Sequence, residues 1–233
     1  MVALAARAQV PPTLARGWRP WQGRAMTITF YYSPMSTASI TELMLEELAV
    51  PCEKVRVDLR GGDTRKAEFL ALNPNGKVPM IVHDGTPIWE SAALTMYLGE
   101  LFGVERGLYP APGPTRGVAM KWIVWTNVTL GDAMSRWTRN TLDWTPAEQH
   151  NAAAAAAGLA DILGCLKILD EALADRPYLC GASYTLADGH VNSYLDWLRH
   201  MKVDFAAAPR VNAWSATLNA RPAAVKLMAA GGA

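Results

Sequence analysis

Asn73-Pro74-Asn75-Gly76-Lys77-Val78-Pro79-Met80-Ile81-Val82, with Ile88-Trp89-Glu90-Ser91 a short distance on, is the stretch from which the fold is read. A loop rich in Asn, Gly and Pro runs into a short apolar strand that opens on a proline. Asp84-Gly85 then turns the chain into a second strand ending in Glu-Ser. Asp-Gly between two apolar runs is a strong hairpin signal, because its turn needs positive φ at both central residues. Proline lacks a backbone donor, so Pro79 fits only where a strand begins or at an edge. The main chain of Val78 is thereby left free to bind something other than its own sheet. The expectation is a small-molecule site built from main chain at Val78 and side chains at Glu90 and Ser91.

Upstream, Thr27-Ile28-Thr29-Phe30-Tyr31-Tyr32 is rich in β-branched and aromatic residues and reads as a strand that Ser33-Pro34 stops. From Ser36 the period changes: Ile40, Leu43, Met44 and Leu48 recur at helical spacing, with Ser39 and Glu42 as a capping box and an end near Val50-Pro51. Val55, Val57 and Leu59 alternate with polar residues as in a half-buried strand, and Gly61-Gly62 closes it before a short helix or turn over Arg65 to Leu72. After the hairpin, Leu94, Tyr97, Leu98 and Leu101 mark a helix over Ser91 to Leu101. Strand, helix, strand, helix, strand, strand, helix predicts an α/β layer around one mixed sheet.

The run Gly107 to Pro114 carries no periodicity and reads as a linker, after which every pattern is helical. Ala119, Trp122, Ile123, Leu130, Ala133, Met134 and Trp137 share one face of a long helix, and Trp125 and Val128 make the other side apolar too, so burial on several sides is expected. Thr145-Pro146-Ala147-Glu148 has the form of a capped start for an alanine-rich helix continued by Leu159, Ile162, Leu163, Leu166 and Leu169. Thr185-Leu186-Ala187-Asp188 repeats the capping logic with Asp in place of Glu and opens a helix through Leu198. Two shorter helices, Asn212 to Leu218 and Ala223 to Ala229, follow.

A chain of 233 residues, 51% hydrophobic and 18% charged, has the composition of compact globular proteins. Its formal net charge of +1 and lack of any basic run argue against nucleic acid or an anionic membrane surface as partner. No apolar stretch reads as long enough to span a bilayer. Cys52, Cys165 and Cys180 match no metal or redox spacing and read as reduced thiols in a reducing compartment. The four histidines, His83, His150, His190 and His200, show no metal-ligand spacing, so no metal is expected. Residues 1–25 hold four arginines and no acid, as a transit peptide does, but the Pro11-Pro12 break and scarcity of serine favour a disordered extension or an upstream start.

The order of elements, Asn73 to Pro79, Glu90-Ser91, the proline-rich linker and Thr185 to Asp188 together resemble the cytosolic glutathione transferases over Met26 to about Ala229. The resemblance implies an α/β plus all-α fold: a thioredoxin-like domain over 26–103, a linker over 104–114, and a helical domain over 115–233 that contributes the electrophile pocket. It implies a cytoplasmic homodimer acting in detoxification, with glutathione as co-substrate and a small hydrophobic electrophile. In that family the proline matching Pro79 is cis, Val78 pairs with the cysteinyl part of glutathione, Glu90 and Ser91 hold its γ-glutamyl end, and Lys77 meets the other carboxylate. Read without the family, Pro79 is an ordinary strand opener, Ser91 a helix cap and Lys77 a solvated loop residue.

Such an enzyme must supply thiolate, since thiolate is the nucleophile and a free thiol has a pKa of about 8.5. A hydrogen bond to a charged group is worth roughly 1.5–3 kcal/mol, or about one to two pKa units, so one hydroxyl aimed at the sulfur suffices. The candidate hydroxyls lie between the first strand and first helix. Ser36 matches the catalytic serine of theta-like members, Thr37 falls where beta-like bacterial members have cysteine, and Tyr32 comes third. Ser36 as a plain helix cap remains the competing reading. Lack of cysteine in this loop disfavours thioltransferase chemistry. A glutathione- or hydrophobic-ligand-binding protein without turnover is the alternative. Met35, Trp122, Trp125, Met134 and Trp137 are candidates for the pocket wall, with core packing the competing reading for each; Arg136 and Arg139 are candidates for meeting an anionic substrate group, with a solvated helix face the competing reading.

Overall fold

The computed structural model describes residues 27–230, so the extension over 1–25 lies outside the described residues. Strands β1 (Ile28–Tyr32), β2 (Glu53–Arg56), β3 (Met80–His83) and β4 (Thr86–Trp89) form one sheet in the order β2-β1-β3-β4. β1 pairs parallel with β2 and antiparallel with β3, and β3 pairs antiparallel with β4. The mixed sheet is the one expected. Its parallel step is made by helix α1 (Ala38–Glu47), and helices α2 (Ala67–Leu72) and α3 (Ser91–Leu98) complete this layer. Asp84 and Gly85 turn the hairpin with φ of 48° and 83°, the two positive values such a turn demands.

Helices α4 (Pro114–Trp125), α5 (Gly131–Arg139), α6 (Ala152–Ala172), α7 (Leu186–His200), α8 (Pro209–Asn219) and α9 (Pro222–Ala229) follow. The one long helix expected after the linker is α4 and α5, joined by a π turn over Thr126–Leu130. Its apolar face is buried at Ala119, Trp122, Ile123, Leu130 and Ala133, but Val128 is 66% exposed, so the expectation of burial on several sides fails. Two apolar cores result, one under the sheet around Phe30, Met44, Met80 and Leu94, the other among α4 to α8. Leu186 belongs to the first core although it opens α7, and its amide donates to the Leu108 carbonyl at 2.8 Å.

Asp188 shows why Thr185-Leu186-Ala187-Asp188 matters to the fold. Its buried carboxylate accepts from the Thr185 amide and hydroxyl, the Leu179 amide and Trp214 Nε1, tying α7 to α8 and to the preceding loop. Glu47 receives both arms of Arg221 at 2.6 Å, clamping α1 to the start of α9.

Local readings fail where a competing partner wins. Ser39 and Glu42 make no capping box: α1 starts at Ala38, Ser39 Oγ donates to the Ser36 carbonyl, and Glu42 pairs with Lys54. Leu59 lies beyond β2 and is 41% exposed. Thr145 does not cap α6. The segment 147–149 makes only a short 3₁₀ turn, and Asn151, whose amide is held by Asn140, accepts from Ala154 instead. Contrary to the expectation that no apolar stretch could span a bilayer, α6 is long and apolar enough to do so by length and composition. Its inward face, with Ile162, Leu166 and Leu169, packs into the helical core, while Leu163 on the other side is 44% exposed.

Candidate functional site

The Asn73–Pro79 loop is shaped from within. Buried Asn73 donates from Nδ2 to the Lys77 carbonyl at 2.8 Å and accepts from the Asn75 amide, so one side chain replaces the ladder the loop lacks. Gly76 has φ 59°, and a Cβ there would lie 2.9 Å from the Thr64 carbonyl oxygen, so only glycine fits. The Val78–Pro79 peptide is cis. Beyond the hairpin, Glu90 is exposed with φ 75°, a conformation rare outside glycine, and Ser91 behind it is buried at the first position of α3.

Ser36, Thr64, Arg65, Gly76, Lys77 and Val78 line a polar cleft. On the other side of Ser36 lies a cavity of about 370 Å³ between the first loop, α5 and α7, walled by Met35, Met134, Trp144, Tyr194, Trp197 and Met201. Ser36 and Thr37 form its floor beside Asn127. Ser36 Oγ donates to the Ser33 carbonyl at 2.7 Å and accepts from the Ala38 amide at 3.2 Å. It therefore does help to cap α1, yet the cap uses only a lone pair, and the single proton is held by a neutral carbonyl. Thr37 donates to the Val78 carbonyl at 3.3 Å. Tyr194 faces the cavity and Ser91 together. Burial pushes its phenol up and the Glu90 charge adds to the rise, against a hydrogen bond with Ser91.

Residues 26–100 match the N-terminal domain of glutathione S-transferases, and residues 130–222 match their C-terminal domain. The curated relative glutathione S-transferase GstB of Escherichia coli is 31% identical over 188 residues, 80% of this chain and 89% of that protein. The chain belongs to the glutathione S-transferase family. It is an enzyme of that family by its named homologues and both domains. Another E. coli relative, the disulfide-bond oxidoreductase YfcG, is 27% identical over 84% of this chain and 92% of its own. Among solved structures, a sphingomonad glutathione S-transferase complexed with glutathione superposes with a TM-score of 0.76 at 26% identity, covering 88% of this chain and 98% of that one.

In this glutathione S-transferase, Lys77 and Val78 of the expected binding residues line the polar cleft, whereas Pro79, Glu90 and Ser91 do not border it; the pairing of Met80 with Trp89 sets Pro79 and Glu90 side by side at the ends of β3 and β4. Of the three candidate hydroxyls, Ser36 and Thr37 face the cavity, whereas Tyr32 stacks on Phe30 at 5.6 Å and borders neither the cleft nor the cavity. Met35 and Met134 line the cavity as expected. Trp122, Trp125 and Trp137 do not. Trp122 is 6% exposed in the helical core under Lys121, and Trp125 and Trp137 pack against that core. Arg136 is engaged by Asp132 and Asp161 on the outer surface, and Arg139 is exposed, so neither borders the cavity.

The wall residues missed in the sequence are Trp144, Tyr194, Trp197 and Met201, with Asn127 at the floor. Tyr194 and Trp197 on α7 and Met201 just past its end recur at three- and four-residue spacing, which was a usable signal. Trp144 sits 63% exposed in the loop before α6, and nothing local marks it. The three cysteines are free thiols away from the cavity, and burial pushes each thiol up, which makes them poor nucleophiles. Among the described residues, no group of three or more His, Cys, Asp or Glu is arranged to hold a metal ion.

Proposed function

We propose that this enzyme holds glutathione along Lys77, Val78, Pro79, Glu90 and Ser91, stabilises its thiolate with the Ser36 hydroxyl, and transfers the sulfur to a small hydrophobic electrophile in the cavity between α5 and α7. The observation that carries this reading is that Ser36 borders both the polar cleft and the apolar cavity. A sulfur arriving from the first must pass this side chain to meet a substrate in the second.

The chemistry follows from the hydrogen bonds Ser36 already makes. Its lone pair stays with the Ala38 amide, and its proton turns from the Ser33 carbonyl to the sulfur. A neutral hydrogen bond nets about 0.5–1.5 kcal/mol and one to a charge about 1.5–3, so the exchange favours the thiolate. The amide end of α1 adds favourable partial charge. Thr37 ranks second because it borders the cavity but not the polar cleft. Val78 main chain, with its neighbour Pro79 unable to donate, takes the cysteinyl backbone. Lys77, with Arg65 in the same cleft, is assigned the glycyl carboxylate, and Glu90 with Ser91 the γ-glutamyl ammonium and carboxylate. The methionines Met35, Met134 and Met201 suit adaptable packing against varied electrophiles.

The family reading extends to a cytoplasmic homodimer with a role in detoxification, to residues 26–103 as the glutathione-binding half, and to residues 115–233 as the half that contributes the electrophile pocket. Apolar Met120, Val124 and Val128, each more than a third exposed on one stretch of helix, support a covered face there. A second reading is favoured by the relative named as a disulfide-bond oxidoreductase. In it the same thiolate attacks a disulfide, forming a mixed disulfide and expelling a thiolate, and a second glutathione thiol completes the reduction.

Ultraviolet difference titration of bound glutathione tests the proposal. The wild type lowers the thiol pKa and Ser36→Ala returns it towards the free value. A thiol that titrates like free glutathione in the wild type removes the mechanism, and an unchanged pKa in Ser36→Ala transfers the role to Thr37.

A further inference from the structure

A buried polar chain stands behind Ser91 and takes no part in the steps above. Ser91 and Thr95 lie four residues apart on one face of α3. Asn127, in the π turn between α4 and α5, donates from Nδ2 to Ser91 Oγ at 3.0 Å. Its Oδ1 lies 2.7 Å from Nε2 of His190 on α7, and His190 Nδ1 lies 2.8 Å from Thr95 Oγ1. The chain thus leaves α3 at Thr95, crosses two elements of the helical half, and returns to α3 one turn earlier.

Its direction is fixed by donors and acceptors. His190 is wholly buried and burial lowers its pKa to about 3, so the ring is neutral and carries one proton. An amide oxygen only accepts, which puts that proton on Nε2 and leaves Nδ1 to accept from the Thr95 hydroxyl. With its oxygen held by His190, Asn127 presents its amino group to Ser91. A serine hydroxyl so approached has one lone pair filled, and its proton must point elsewhere. Reversal of the amide would take the Ser91 proton and leave only oxygen lone pairs facing an anion.

We propose that His190 and Asn127 are a positioning pair that turns the Ser91 proton towards the carboxylate of the γ-glutamyl end of glutathione; this rests on the glutathione reading above. Tyr194, the other neighbour of Ser91, can give or take a hydrogen bond and so accommodates the proton as the ligand arrives. The π turn has a purpose in this scheme, since the extra residue in its turn re-aims Asn127 relative to a regular helix.

The test measures binding of two ligands by calorimetry: glutathione, and its analogue with 4-aminobutyryl in place of γ-glutamyl, which lacks only that carboxylate. Asn127→Leu and His190→Leu should each weaken glutathione about tenfold while leaving the analogue unchanged. His190→Gln, which again offers a donor to Asn127 and an acceptor to Thr95, should return glutathione affinity to within about twofold of wild type. Equal weakening of both ligands would reduce the pair to a packing role, as would a His190→Gln variant no better than His190→Leu. Asn127 is only half-buried, so its variant carries the test alone if His190→Leu does not fold. A wild type that fails to bind glutathione sinks the glutathione reading itself. A wild type that discriminates the two ligands, with Asn127→Leu discriminating equally well, sinks only the positioning pair.

Discussion

The platform proposed along Lys77 to Ser91 and the cavity between α5 and α7 are bridged by Ser36, which shares the polar cleft with Lys77 and Val78, yet the two are built in opposite ways. The platform is one stretch of chain whose shape is set by its own residues: Asn73 bridges its loop, Gly76 takes φ 59°, and Asp84-Gly85 turns its hairpin. The cavity draws Met35 from the first loop, Met134 from α5, Trp144 from a long connection, and Tyr194 with Trp197 from α7. A contiguous recognition surface suits one constant ligand, and a wall assembled from separate elements can change its lining without disturbing that ligand. Ser36 at the junction and His190 across it are where the two regions depend on each other.

Ser36→Ala strikes both regions and carries the largest expected effect. Loss of a hydrogen bond to charge should lower kcat/KM roughly 10- to 100-fold and raise the bound-thiol pKa by about one to two units, with glutathione affinity nearly kept. Steady-state kinetics beside the titration checks this, and a loss confined to KM for glutathione would make Ser36 part of the platform only.

The polar link through His190 should respond to acid. Below about pH 6.5 the unfolded chain protonates an imidazole that the native state, with His190 held at about 3, does not. Stability contributed by this residue is therefore present above pH 6.5 and lost as pH falls towards 3. The loss is up to about 1.4 kcal/mol per pH unit, or roughly 2 kcal/mol between pH 7 and 5. Urea unfolding at the two pH values measures it, and His190→Gln should flatten the slope; a variant as acid-sensitive as wild type would locate the sensitivity elsewhere.

Glu90→Gly separates binding from folding within the platform. Glycine tolerates φ 75°, so Tm should rise by the relief of about 1 kcal/mol of backbone strain, while glutathione binds about tenfold more weakly. Unaltered affinity would count against Glu90 as a ligand to the ammonium. The smallest effect belongs to the cavity wall. Trp144→Ala should raise KM for an aromatic electrophile by roughly threefold and leave glutathione affinity and stability within about 0.5 kcal/mol of wild type. Equal changes in both KM values would show that the wall and the platform are not independent.

What the sequence by itself determined is what short-range chemistry dictates. Turn residues with forced φ, the β-branched and aromatic residues of β1, the Thr185 to Asp188 cap and the proline-rich linker act over a few residues, so the mixed sheet and the helical second half were legible from them. The family resemblance supplied the cis form of Pro79, which local chemistry does not choose. Tertiary structure alone decided the rest. Trp122 and Trp144 carry the same side chain, and whether each fills the core or borders the cavity depends on what packs across from it. Ser39 lost its capping role because Ser36 lies one turn ahead, and Glu42 was drawn away by Lys54. The link from Thr95 through His190 and Asn127 to Ser91 joins residues up to 95 positions apart. No spacing in the chain encodes such a contact; it exists because two cores bring α3, α7 and the π turn together and leave a buried polar group no other partner.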